Sequence, residues 1–194
     1  LPGSGALFGG RSVILKPIPA VTVDEMRFPG ARQGLKMACG SNPAGAGGRA
    51  PNSRQGEIAF IRRTLLETKR YIAGWDEYLR GDEDDEPRRD QRMDTLAAVM
   101  RGDMPVHLHC YRADDIATWI SVLGEFGIRV TVVHHASEAY KIAPLLAQHG
   151  VCAAVWPDWL GFKREAEDGI PENAAFIEAA GGCAIMHSDI PMLG

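Results

Sequence analysis

The stretch Val106-His107-Leu108-His109-Cys110-Tyr111-Arg112-Ala113-Asp114-Asp115 decides how this chain is read. Its first half is an apolar, strand-like run ending in two histidines one residue apart. At the two-residue period of a strand, His107 and His109 fall on the same face. Its second half opens a helix, with Asp114 and Asp115 in the first turn, where the helix dipole favours negative charge. The arrangement recurs at Val132-Val133-His134-His135 and at Ile185-Met186-His187-Ser188-Asp189. A strand end fixes the direction of an imidazole while the loop beyond it stays open, and α/β enzymes often build metal sites this way.

Outward from that stretch the chain alternates. Strand Val106–Cys110 leads to helix Ala113–Phe126, with Gly127 as its stop. Strand Val130–His134 leads to helix Glu138–Gln148 and Gly150. Strand Val151–Trp156 leads through a loop to helix Pro171–Ala180 and Gly181-Gly182, and strand Cys183–His187 follows. This spacing predicts consecutive βα units. Upstream, Ser12–Lys16 is a strand candidate stopped by Pro17, and Gly34–Gly40 is a second. Ser41–Arg54 reads as a long mobile loop. Ile58, Ile61, Leu65, Leu66, Ile72 and Trp75 predict an amphipathic helix from Gln55 to about Leu79, and a further helix spans about Asp90 to Met100. The acidic run from Gly81 to Pro87 between them reads as a solvated turn.

The strands are apolar on both faces, as in parallel sheets covered by helices. A doubly wound sheet and a TIM-type barrel both fit that pattern. No GxGxxG follows a strand, so dinucleotide binding lacks its fingerprint. His109, His135 and Asp189 all lie at C-terminal strand ends, the active face of barrels. The fold expected is therefore α/β, a partial TIM-type (β/α)8 barrel, as a single incomplete domain over residues 1–194.

Composition sets the bounds. The 194 residues are 45% hydrophobic and 24% charged, as in ordinary globular domains. A formal charge of −4, without a basic stripe, argues against nucleic acid as a partner. No apolar run reaches the roughly 18–20 residues of a membrane span. The start at Leu1-Pro2-Gly3, with no Met and no signal-like segment, and the abrupt end at Gly194 read as a piece of a longer chain. The scattered cysteines Cys39, Cys110, Cys152 and Cys183 lack CxxC spacing and are expected as free thiols in core strands, which favours a reducing, cytoplasmic setting.

Two imidazoles and a carboxylate from three strand ends can converge on one divalent ion, Zn²⁺ or alternatively Fe²⁺ or Mn²⁺. Such an ion lowers the pKa of bound water towards about 7 and polarises a carbonyl, while a carboxylate beside it relays the proton to a leaving nitrogen. That chemistry is hydrolysis.

The three motifs, His109-Cys110-Tyr111-Arg112-Ala113-Asp114-Asp115-Ile116, His135-Ala136-Ser137-Glu138-Ala139-Tyr140-Lys141-Ile142 and His187-Ser188-Asp189-Ile190-Pro191, together resemble the amidohydrolase superfamily. The similarity runs from about Gly9 to the end and is greatest to the branch of imidazolonepropionase and the metal-dependent Xaa-Pro dipeptidases. The resemblance implies a (β/α)8 barrel, with His109 as the strand 5 metal ligand and His135 as the strand 6 ligand. It implies Asp189 as the strand 8 ligand and catalytic proton shuttle. Lys36 sits where some members carry a carboxylated lysine bridging two metals, so one or two ions are implied. Tyr111 resembles a substrate-contacting tyrosine, and Arg112 is a candidate anchor for a substrate carboxylate.

One departure stands out: the family's strand 1 His-x-His is absent. The chain then reads as strands 3 to 8, with strands 1 and 2 and the flanking β-sandwich lying elsewhere in a longer protein. The function expected is hydrolysis of a small amide or dipeptide-like substrate, in an enzyme that can be homo-oligomeric. A mononuclear cyclic-amide hydrolase or deaminase is the enzymatic alternative, and a non-catalytic fragment or degenerate scaffold the other. Plainer roles are open for single residues. His107 can be support beneath His109, His134 should point away from His135 against a helix, and His187 can be a same-face residue. Arg112 can simply pair with Asp114 or Asp115. Trp156, Trp159 and Phe162 can wall a pocket or only cover the rim.

Overall fold

A computed structural model describes residues 2–44 and 50–189. Residues 45–49 of the predicted Ser41–Arg54 loop, and Ile190-Pro191 of the third motif, lie outside them. The chain builds one six-stranded sheet in the order β1-β2-β3-β4-β5-β6. The strands are β1 (Phe8–Ser12), β2 (Gly34–Ala38), β3 (Val106–Cys110), β4 (Val130–His135), β5 (Cys152–Val155) and β6 (Cys183–Met186). All neighbours from β2 to β6 pair in parallel, whereas β1 runs antiparallel to β2. Among the described residues the sheet does not close: β1 and β6 are its two edges. The helices are α1 (Val23–Met26), α2 (Arg54–Arg80), α3 (Gln91–Met100), α4 (Ala113–Gly124), α5 (Ala143–His149) and α6 (Asn173–Ala179). No helix among the described residues is long and apolar enough to cross a membrane.

Helices α2 and α3 carry side-chain caps that their sequence offers, whereas Arg112 at the head of α4 makes no such bond. The Ser53 side chain accepts from Gly56 N–H at the head of α2, and Gly81 ends that helix in the left-handed region at φ 77°. Asp90 caps α3 through the N–H groups of Arg92 and Met93. Helices α2 to α6 lie against one face of the sheet, while the short α1 buries no residue. Leu35, Met37, Val106, Leu108, Val133, Ala153 and Val155 interlock there with Ile61, Leu65, Ile116, Leu123, Leu146 and Ile177, all 2% exposed or less. At roughly 1.5–3 kcal/mol per fully buried aliphatic side chain, this layer supplies most of the driving force for folding.

Two expectations are corrected. The first strand is Phe8–Ser12 and not Ser12–Lys16; past Ser12 only a single bridge, Leu15 to Arg27, remains. Ile14 and Leu15 are exposed, so no layer rewards their burial, while Phe8 packs its ring 6.4 Å from Phe60. Close approach favours the glycines: a Cβ at Gly9 would lie 2.9 Å from the Gly3 carbonyl and 3.3 Å from that of Lys36. An antiparallel β1 also departs from the all-parallel order expected of barrel strands 3 to 8.

The second correction concerns the cysteines, which form two disulfides, Cys39–Cys110 and Cys152–Cys183. Their sequence separations of 71 and 31 residues hide what the parallel register brings side by side. Cys152 and Cys183 are direct cross-strand partners, and Cys39 donates its N–H to the His109 carbonyl next to Cys110. Cα separations of 4.5 and 5.3 Å suit a bridge. The free-thiol argument for a reducing, cytoplasmic setting falls with them.

Candidate active site

The face of the sheet opposite the helices carries the histidines. In register, Lys36 lies beside His107, Ala38 beside His109, and His109 beside His134. Alternation alone would send His135 to the helix side. Instead His135 and Ala136 adopt φ of 72° and 41°, left-handed values that cost non-glycine residues on the order of 1–3 kcal/mol each. That turn returns the His135 ring to the histidine side, with its centroid 4.4 Å from His109 and 5.3 Å from His187.

The strained turn is held from both sides. Ala136 N–H donates to the Cys110 carbonyl at 2.9 Å. The buried Asn173 amide donates to the Ala136 and Ser137 carbonyls at 2.9 and 3.3 Å, and its oxygen accepts from Tyr140 N–H at 2.8 Å. His134 does not turn away to a helix as expected. Its Nε2 lies 3.1 Å from His107 Nδ1, in a hydrogen bond between the two rings, and its centroid is 5.9 Å from His187.

Asp189 completes the group from beyond β6. Its carboxylate oxygens lie 3.5 Å from His135 Nδ1 and 3.7 Å from His187 Nδ1. Ligand-capable atoms of His135, His187 and Asp189 all fall within 4.8 Å of one another. His109 Nε2, His135 Nδ1 and His187 Nε2 are buried without a hydrogen-bond partner among the described residues. Unpaired buried nitrogen is costly unless something binds it. Burial drives the His109 pKa down to about 3, with the Lys36 and Lys163 charges adding, and drives His134 to about 3 as well. His135 and His187 are lowered for the same first reason. Neutral imidazoles, bare ring nitrogens and a nearby carboxylate are the donor set a divalent transition metal takes. The residues present therefore fit such an ion.

Lys36, 5% exposed, points into the same face. Burial lowers its pKa against the opposing pull of Asp189, a setting that favours the uncharged amine more than a surface lysine would. Tyr111 is buried, stacked on His135 at 5.3 Å and edge-on to His109 at 4.8 Å. Burial, then the charges of Asp189 and Glu165, hold its phenol above the ordinary tyrosine range. Arg112 is placed differently from the carboxylate anchor expected of it. Its guanidinium makes two hydrogen bonds of 2.9 Å to Asp114, and its side chain is 42% exposed. Asp115 is taken by Arg54 at 2.8 and 2.9 Å. Trp156, Trp159 and Phe162 form a continuous stack at 4.6 and 4.5 Å, with Trp156 4.4 Å from His135, so they wall the histidine group.

Four residues here were not singled out from the sequence: Asn173, Arg54, Lys163 and Glu165. Lys163 Nζ sits 3.8 Å from the Tyr111 ring centre and is tied to Asn42 and Glu165. All four lie in loops or helix starts far along the chain from the motifs, and nothing in their local spacing marks them.

Comparison with known proteins finds two that are named amidohydrolases. In sequence the chain is similar to the amidohydrolase tasK of Hapsidospora irregularis, at 26% identity over 216 residues, covering 100% of this chain and 22% of that protein. In structure it is similar to an amidohydrolase from Thermotoga maritima MSB8, with a TM-score of 0.87 and 32% identity, covering 98% of this chain and 50% of that one. The chain thus spans about a fifth of the first relative's length and half of the second's. No family model matches. The similarity supports an enzyme of the amidohydrolase type, a hydrolase, and does not reach the imidazolonepropionase or dipeptidase branch.

Proposed function

We propose that this chain carries the histidine-lined part of a metal-dependent hydrolase of amide or peptide-like C–N bonds, on a sheet that forms part of a (β/α)8 barrel. The observation that carries the reading is the cluster of His135, His187 and Asp189, whose ligand-capable atoms lie within 4.8 Å of one another, with the His109 ring 4.4 Å from that of His135. The similarity to amidohydrolases agrees with it. His109, His135, His187 and Asp189 would hold the ion, zinc by donor type and iron or manganese as alternatives, and a carboxylated Lys36 would bridge it to a second. The ion supplies Lewis acidity and brings the pKa of water towards about 7.

The chain's own groups do the rest. Asp189, half exposed beside two neutral imidazoles, takes the proton of the attacking water at a carboxylate oxygen and hands it to the leaving nitrogen. Tyr111 keeps its phenolic proton at neutral pH and donates it in a hydrogen bond to a substrate oxygen. The Trp156–Trp159–Phe162 stack keeps water from the side of the pocket. Substrates of this chemistry are N-acyl amino acids and dipeptides.

The test is made on the full-length protein, purified without chelator. Bound transition metal and hydrolysis of a panel of N-acyl amino acids and dipeptides are expected, with Asp189→Asn lowering kcat by about 10²–10⁴. Metal-free protein that added Zn²⁺ or Mn²⁺ fails to activate would overturn the reading. Intact mass of the metallated protein decides Lys36: an unmodified lysine removes the two-ion version.

A further inference from the structure

Glu165 lies outside the histidine group yet gathers more donors than any other buried carboxylate described above. It is 8% exposed, in the short 3-10 turn Arg164–Ala166 between β5 and α6. One oxygen accepts from Ser41 N–H at 2.8 Å and from Arg54 Nη2 at 2.7 Å. The other accepts from the Ser41 hydroxyl and pairs with Lys163 Nζ at 3.1 Å. These partners come from three separate places: the loop after β2, the head of α2 and the loop after β5. Burial raises the carboxyl's pKa, but the Ser41 hydrogen bonds and the Lys163 charge outweigh it, and the net shift is downward. Gly40 is shaped to the same group: its φ is 76°, and a Cβ there would lie 2.6 Å from Glu165 Oε1.

The consequence reaches the pocket through Lys163. Its ammonium is held by Glu165 and by Asn42 Oδ1 at 2.7 Å, and rests 3.8 Å from the centre of the Tyr111 ring. Tyr111 in turn stacks on His135, and the Lys163 charge is felt at His109. Ala166, next to Glu165, is fully buried in the cluster of Tyr111 and Trp156, with Trp159 packed against it. A lysine tethered this way is fixed over the ring; untethered, its four-carbon stem carries about 2 kcal/mol of rotamer freedom that favours solvent.

We propose that Glu165 is a positioning residue: it holds Lys163 on the Tyr111 ring and so fixes the loop around residues 156–166 as a rigid wall of the histidine pocket. Its importance for catalysis rests on the hydrolase reading, but the contact itself does not. The test uses the full-length protein, without substrate. Hydrogen exchange and acrylamide quenching of tryptophan are measured for wild type, Glu165→Gln, Lys163→Met and the double variant, with Tm recorded for each. Glu165→Gln keeps the shape and removes the charge, so exchange in residues 157–167 should rise about 10- to 100-fold, the ratio expected for loss of a charge-assisted hydrogen bond. Near-UV circular dichroism of the tryptophan stack should weaken with it, and Glu165→Asp should restore part of both signals.

Because Glu165 acts through Lys163, the double variant should be little worse than the worse single variant. Unchanged exchange in Glu165→Gln, or fully additive effects in the double variant, would overturn the proposal. Should Glu165→Gln fold poorly, Ser41→Ala removes one of the same bonds and should raise exchange in the same segment; a silent Ser41→Ala would then count against it. Zinc titration of the wild type runs in parallel. Absence of zinc binding would break the hydrolase reading and leave the exchange result standing.

Discussion

The two faces of the sheet are built from alternate residues of the same strands and obey opposite rules. Toward the helices, Leu35, Met37, Val106 and Leu108 sit in a closed apolar layer. Toward the other side, Lys36, His107 and His109 occupy the positions between them, and several of their neighbours carry buried polar atoms without partners. The first face is arranged for stability. The second bears a cost, in desolvated imidazoles and a left-handed turn at His135, that stability alone does not explain. Misfit of that kind concentrates at functional sites. The lesson is positional: moving one residue along β3, from Leu108 to His109, crosses from the part that folds the chain to the part proposed to do its chemistry.

The contrast can be broken from either side. The largest effect belongs to the apolar face: Leu108→Ala should cost about 2–5 kcal/mol in denaturant unfolding. Its zinc affinity should stay at the wild-type value. A small loss of stability would mean that the layer is less closed than its burial indicates. Next comes the titratable group hidden near that layer. Glu57, 1% exposed, is pushed up to about 7 by burial, despite the Gly40 N–H it accepts. The folded form then holds a proton that the unfolded chain releases above its ordinary 4.5. Stability from this group is full below pH 4.5, falls as pH rises, and is gone above about 7, a swing on the order of 3 kcal/mol. Glu57→Gln should flatten that slope in a pH series of thermal melts; an unchanged slope would assign it to another group.

Between the two faces stands Asn173, whose amide clamps the His135–Ala136 turn. Asn173→Ala leaves two buried carbonyls and the Tyr140 N–H short of partners and should cost about 1–3 kcal/mol. It should also weaken zinc binding, because the strained turn loses its support; a stability loss with unaltered zinc affinity would separate the clamp from the site. The smallest effect is expected for Arg112→Ala. The exposed Arg112–Asp114 pair should be worth no more than about 0.5 kcal/mol. Its loss should leave KM for carboxylate substrates unchanged, and a clear rise in KM would return Arg112 to the substrate.

Much of this molecule could be read before its structure. β3 has the bounds predicted, Val106–Cys110, and α2 and α3 follow from the three- and four-residue recurrence of their apolar positions. Period and punctuation are local signals, and those elements obey them. The misreadings share one cause, lateral neighbours that a linear chain does not display. Cys152 meets Cys183 because β5 and β6 are in register, and β1 shifts to Phe8–Ser12 because Phe60 of α2 waits beside it. At the site, His109, His135 and Asp189 were visible as strand ends, whereas His187, open to a plainer reading as a same-face residue, joins His135 and Asp189 in space. The positive φ at His135, which brings that ring back to the histidine face, left no trace in residue type, since histidine is not a turn signal. Lys163 and Glu165 were hidden for a related reason: their partners Asn42, Ser41 and Arg54 lie more than a hundred residues away.

The central claim is that the histidine face holds a divalent metal. Calorimetric titration of chelator-stripped protein with Zn²⁺ tests it most directly, comparing wild type with His135→Ala, His187→Ala and, from the opposite face, Leu108→Ala. Wild type and Leu108→Ala should bind zinc with one affinity, and each histidine variant should lose at least about 100-fold. Zinc binding that is absent in the wild type, or indifferent to both histidines, would contradict the account.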